Sequence, residues 1–158
     1  MNEFKNLINE PVRSYETGSK ERLSLQKKYD ELASNEIEIP IIINGEKILT
    51  NDTENCVMPH NHQYILAKYH KADKDLALAA IESSLESWNE WSKTDLDYRI
   101  DIFRKAATLL SGNWRDTINA ATMLNQSKNA FQAEIDAACE LIDFFNFNAL
   151  YAKNIHNK

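Results

Sequence analysis

The stretch "QAEIDAACELIDFF", Gln132 to Phe145, sets a thiol, Cys139, beside a carboxylate, Glu140, in the middle of a helical pattern. A reactive cysteine needs a partly exposed, electropositive setting that stabilises thiolate. Cys139 instead falls between Ile135 and Ile142 at helical spacing, among Glu134, Asp136, Glu140 and Asp143. Those acids would raise its pKa, and no histidine lies nearby to act as its base. Cys139 therefore reads as a packing residue. Asp136, Glu140 and Asp143 recur at i, i+4 and i+7, which puts three carboxylates on one helix face. Two readings of that face stay open: a solvated acidic surface, or a mount from which one carboxylate receives a cationic group.

The remaining candidates are weaker. Cys56, His60, His62 and His70 suggest a metal, but structural zinc wants three or four convergent ligands from paired short spacings. One C-x-x-x-H and an H-x-H across a loop match no such pattern, so no metal is expected. The three glycines, Gly18, Gly45 and Gly112, are isolated from one another. A pyrophosphate cradle needs clustered glycines at a helix N-terminus, so no nucleotide site is expected within the chain.

The elements that must carry these residues follow from periodicity. Ser19 caps a surface helix ending near Ala33, with Leu23, Leu25 and Leu32 as a modest apolar set. "IEIPIIINGEKILT" predicts a hairpin turning at Asn44-Gly45. A second extended pair, "NCVMP" and "QYILAKYH", is joined through His60-Asn61-His62. From Asp73 the period becomes helical: Leu78, Ile81, Leu85 and Trp88 form one stripe, and Trp88 and Trp91 read as core or helix-contact aromatics. A second helix carries Leu96, Ile100, Phe103, Ala107 and Leu110 and stops at Ser111-Gly112. A shorter one runs through "WRDTINAATML". The last, about Lys128 to Ala152, has Ile135, Ala138, Ile142, Phe145 and Ala149 as its stripe. The chain stops directly after it without a closing strand, as expected of a piece of something larger.

At 158 residues, with 24 acidic against 18 basic side chains, the chain has one domain's worth of core and no basic footprint for nucleic acid. No run is apolar enough to span a membrane. "MNEFKNLINE" has neither the apolar centre of a signal peptide nor the basic, acid-poor character of a transit peptide. Two cysteines far apart give no disulfide framework, so a reducing, intracellular compartment is expected, cytoplasmic for a bacterial-type protein and the mitochondrial matrix for a eukaryotic one.

Three segments, "NEPVRSYETGSKERLSLQKKYDEL", "YRIDIFRKAATLLSG" and "TMLNQSKNAFQAEIDAACELIDFFNFNALYA", resemble the N-terminal part of the Δ1-pyrroline-5-carboxylate dehydrogenases, a branch of the aldehyde dehydrogenase superfamily. The resemblance covers essentially the whole chain. Asn125 stands where the branch usually has glycine, and Asn146 where arginine is common. It implies an α/β parent, here represented by a mostly helical part with two short antiparallel β-hairpins. Residues 1–36 would be an N-terminal arm and surface helix, and 37–158 the first part of the NAD-binding domain. It further implies NAD-dependent oxidation of L-glutamate γ-semialdehyde to L-glutamate in proline breakdown, by a homo-oligomer whose catalytic cysteine and cofactor strands lie downstream of Lys158. The chain alone would hold no cofactor and have no activity. Within it, Glu140 resembles the carboxylate that lines the substrate tunnel near the substrate nitrogen. The rival expectation is a non-catalytic, stand-alone helical interaction module derived from that enzyme.

Overall fold

A computed structural model describes residues 7–157. The first six residues, part of the stretch read for targeting character and of the expected 1–36 arm, lie outside the described residues, as does Lys158.

An extended arm leads into α1 (Lys20–Ala33), whose N-cap Ser19 accepts from the Arg22 N–H. Next come β1 (Ile37–Ile39), β2 (Ile41–Ile43), β3 (Glu46–Ile48), β4 (Thr53–Met58) and β5 (Asn61–His70). Then follow α2 (Lys74–Trp91), α3 (Leu96–Ser111), α4 (Arg115–Gln126) and α5 (Ala130–Ala133), a π-helical turn (Glu134–Cys139) and α6 (Glu140–His156).

Both expected hairpins form, with one difference. β2 and β3 pair antiparallel across Asn44-Gly45, both residues at positive φ as this tight turn demands. Ile37–Ile39, read from sequence as the start of that hairpin, belongs to the other sheet. It pairs parallel with β5, Ile37 opposite Ala67, giving the order β1-β5-β4. Pro40, which lacks a donor and has a fixed φ, separates the two strands and lets the chain change sheets. β4 and β5 turn at Pro59-His60, a little before the expected loop, and their register slips around Val57.

The helices pack in pairs, α1 on α4 and α3 on α6. Three small apolar clusters result. Tyr15, Leu25 and Ala120 join the arm to α1 and α4. Met58, Leu66 and Leu124 join the sheet to α4. Ala107, Ala138 and Ile142 join α3 to the last helix. The expected stripe of that helix is therefore its inner face, with Ile142 and Ala149 buried and the Phe145 ring tilted at 44° against Phe103, centroids 5.7 Å apart.

The α2 stripe behaves otherwise. Leu78, Ile81, Leu85 and Trp88 are all exposed, Trp88 at 61%, and α2 has no buried residue. Trp88, expected as a core or helix-contact aromatic, is not in the core: it lies mostly exposed beside Asn44 of the β2–β3 turn, and β2 only touches this helix lightly. Trp91 does meet the chain, at the mouth of an apolar groove of about 490 Å³ between α3 and α6.

Candidate functional site

The last helix is built in three segments, and its middle segment decides where its carboxylates go. Asn129 and Gln132 form a reciprocal capping box that starts α5. After one turn the backbone switches to π geometry over Glu134–Cys139. The N–H of Glu140 then donates to the Ile135 carbonyl, five residues back rather than four. In an α-helix, residues five apart point about 140° away from each other. The π turn brings the fifth residue back over the first, so Glu134 and Cys139 face the same neighbour.

That neighbour is Arg115, the first residue of α4. Its Nη2 lies 2.5 Å from Glu134 Oε1 and 3.4 Å from Cys139 Sγ, and its Nε donates to Glu134 Oε2 at 3.2 Å. Nη1 pairs with Glu10, and Nη2 also donates to the Pro11 carbonyl at 2.8 Å. Glu134 accepts in addition from the Arg13 N–H at 2.8 Å, the Tyr15 hydroxyl at 2.8 Å and Asn119 Nδ2 at 2.8 Å. Arg115, Glu134 and Asn119 are at most 1% exposed. A buried ion pair is tolerable only when its hydrogen-bonding capacity is nearly filled, as it is here. Burial alone would push the Glu134 carboxyl up, but Arg115 and the three other donors outweigh it and hold it at about 2. For Arg115, burial opposes the charge while Glu134 and Glu10 favour it more strongly, so its pKa is raised.

Sequence reasoning counted Glu134 only as an acidic neighbour of Cys139 and passed over Arg115 and Asn119. The available signal was a lone arginine opening one helix and a glutamate at an otherwise apolar step of another. Neither announces its partner, because the link is long-range.

Cys139 lies where packing places it. It is buried, and burial first, then the adjacent Glu134, pushes its thiol up to about 11. The three-carboxylate face does not survive as a unit. Asp136, inside the π turn, is paired with Lys128 at 2.6 Å. Asp143 accepts from the Glu10 N–H at 2.8 Å and from Asn9 Nδ2 at 2.7 Å, and so ties the arm to α6. Glu140 is exposed, and among the described residues no hydrogen bond or ion pair reaches it. The residue expected to line a substrate tunnel is open to solvent in the described chain.

The residues weighed as metal ligands are dispersed. His60 Nδ1 lies 2.8 Å from the Ser127 hydroxyl, and Cys56 Sγ–H donates to Asn125 Oδ1 at 3.0 Å. His70 Nδ1 is 2.7 Å from the Thr50 nitrogen, and its Nε2 is 3.2 Å from Glu38. No three His, Cys, Asp or Glu side chains converge among the described residues. Asn125 sits within α4, and the left-handed residue that ends this helix is Ser127, at φ 55°. No described helix is long and apolar enough to cross a membrane.

Residues 48–158 match the aldehyde dehydrogenase family. The chain is 45% identical over 152 residues to the mitochondrial Δ1-pyrroline-5-carboxylate dehydrogenase of Homo sapiens, covering 96% of this chain and 27% of that protein. It is 42% identical to the Agaricus bisporus enzyme of the same name, again covering 94% of this chain and 27% of the relative. Its fold matches the crystal structure of the Mycobacterium tuberculosis Δ-pyrroline-5-carboxylate dehydrogenase bound with NAD. That match has a TM-score of 0.92 and 40% identity, over 95% of this chain and 28% of the other. The chain thus spans about a quarter of the length of these relatives.

Proposed function

This chain belongs to the aldehyde dehydrogenase family, and from that membership we propose that it is the N-terminal part of an NAD-dependent dehydrogenase oxidising L-glutamate γ-semialdehyde to L-glutamate. The carrying observation is identity of 38–45% to eight Δ1-pyrroline-5-carboxylate dehydrogenases across nearly the whole chain. No observation favours a stand-alone interaction module.

In this reading NAD, when bound, accepts the hydride of the aldehyde. Gly18 precedes α1, Gly45 closes a hairpin turn and Gly112 ends α3, so no cluster of glycines opens onto a helix N-terminus. In the proposed enzyme, cofactor and nucleophile belong to the remainder of the parent, and Cys139 serves packing. What this chain supplies is substrate handling. The substrate is a small zwitterion with a cationic nitrogen, and Glu140 is a carboxylate without a partner in the described chain. A charge-assisted hydrogen bond between them would orient the aldehyde from a rigid helix. The other two acids of the face are engaged elsewhere, Asp136 by Lys128 and Asp143 by the arm.

The test is NADH formation by the full-length protein. Glutamate semialdehyde should be oxidised with much higher kcat/KM than hexanal, which has neither amino nor carboxyl group. Equal use of both, or no oxidation of glutamate semialdehyde, would overturn the assignment.

A further inference from the structure

Glu140 stands at the junction between the π turn and α6, and it is gripped from both sides without being touched itself. On its N-terminal side, Glu134 and Cys139 are both turned toward Arg115, an arrangement only the π turn permits. On its C-terminal side, Asp143 lies one turn along and holds the backbone N–H of Glu10. The two grips share one strap. Asn9 and Glu10 bind Asp143, Glu10 and Pro11 bind Arg115, and Arg13 and Tyr15 bind Glu134.

The π turn also sets the direction of Glu140. Shortening the segment to regular α geometry would rotate every residue after it by about 100° relative to Ala133. Glu134 and Cys139 would then point apart, and Glu140 would leave its present face. A buried pair that is nearly fully hydrogen-bonded makes that alternative costly, because it would strand a charge in the interior.

We infer that Arg115, Glu134 and Asp143, through the strap Asn9–Tyr15, are positioning residues that fix the π turn and thereby aim Glu140 at the substrate nitrogen. The inference rests on the role proposed for Glu140 and goes beyond it, since none of the three touches the substrate. A binding group displaced by about an ångström makes a weaker contact with the ligand group it serves.

The experiment is a double-mutant cycle in the full-length dehydrogenase, using glutamate semialdehyde and hexanal. Asp143→Asn is the principal variant, because it loosens the strap from a half-buried site and leaves the interior pair intact. Glu134→Gln is the second. Either change should raise KM for glutamate semialdehyde by about three- to tenfold, with kcat and the hexanal KM changed less than about twofold. In a Glu140→Gln background the same changes should add almost nothing, because there is no longer a charge to aim. A selective Glu140→Gln loss, combined with losses that multiply or fall equally on both aldehydes, would overturn the positioning inference alone. A silent Glu140→Gln would overturn the role of Glu140, and the inference with it.

Discussion

Acid should reach the Glu134 clamp only at low pH, because Arg115 and its other donors hold this carboxyl well below the ordinary carboxylate range. The Glu134 carboxyl has an ordinary value of 4.5 and sits at about 2 in the folded chain, a gap worth about 3 kcal/mol of stability. Because the folded value is the lower one, that stabilisation is complete above pH 4.5 and is lost as the pH falls toward 2. Protonation would leave Arg115, itself 1% exposed, with Glu10 as its remaining acidic partner. Urea unfolding followed by circular dichroism, across about pH 6 to 2, measures this for the wild type and Glu134→Gln. Near pH 6 the variant should be less stable by about 3 kcal/mol, within the range for breaking one side of a buried pair. The two curves should converge as the acid limb is descended, since the protonated wild type then resembles the variant. Parallel curves, with the same pH dependence in both, would refute the argument that Glu134 is ionised and essential to the interior.

The 158-residue chain alone should produce no NADH from glutamate semialdehyde; production abolished by Cys139→Ser would show that this thiol is catalytic after all. The exposed α2 stripe and the apolar α3–α6 groove should make the isolated chain bind a hydrophobic dye and self-associate, because apolar patches beyond a few hundred Å² are rarely left open on monomers. A monodisperse monomer without dye binding would count against an uncovered face. Of the two thiols, half-buried Cys56 should react with a thiol reagent well before Cys139, whose burial holds it at about 11. Mass spectrometry of partially labelled chain gives the order, and Cys139 reacting first would contradict its placement.

Much of this fold is written locally. The Asn44-Gly45 turn, the Ser19 cap, the Ser111-Gly112 stop and the inner stripe Ala138, Ile142, Ala149 were all legible, because each depends on a few neighbouring residues. What was not legible is non-local. β1 joins β5 in parallel across almost thirty residues, and no sequence period marks that choice against continuing the hairpin. The separate partners of Asp136 and Asp143 were illegible for a related reason. Counting in steps of 3.6 assumes an unbroken α-helix, and the π turn sustained by Arg115 and the arm breaks the count just before Glu140. Glu140 is legible through a family resemblance, whereas Arg115, Glu134 and Asp143, which hold its helix on either side, are linked only through the long-range contacts of the arm.

The role proposed for this chain is to contribute one carboxylate, Glu140, to handling an amino-bearing aldehyde. It is tested most directly by kcat/KM of Glu140→Gln in the full-length dehydrogenase, for glutamate semialdehyde and for hexanal, with Asp136→Asn as the control on the same helix. Asp143→Asn cannot serve as that control, since Asp143 holds the arm. A hydrogen bond to a charged group is worth about 1.5–3 kcal/mol, so glutamate semialdehyde should lose roughly ten- to a hundredfold. Hexanal, the KM for NAD⁺ and the Asp136→Asn variant should change less than about twofold. Equal losses for both aldehydes, or a loss in Asp136→Asn to match that of Glu140→Gln, would contradict the account.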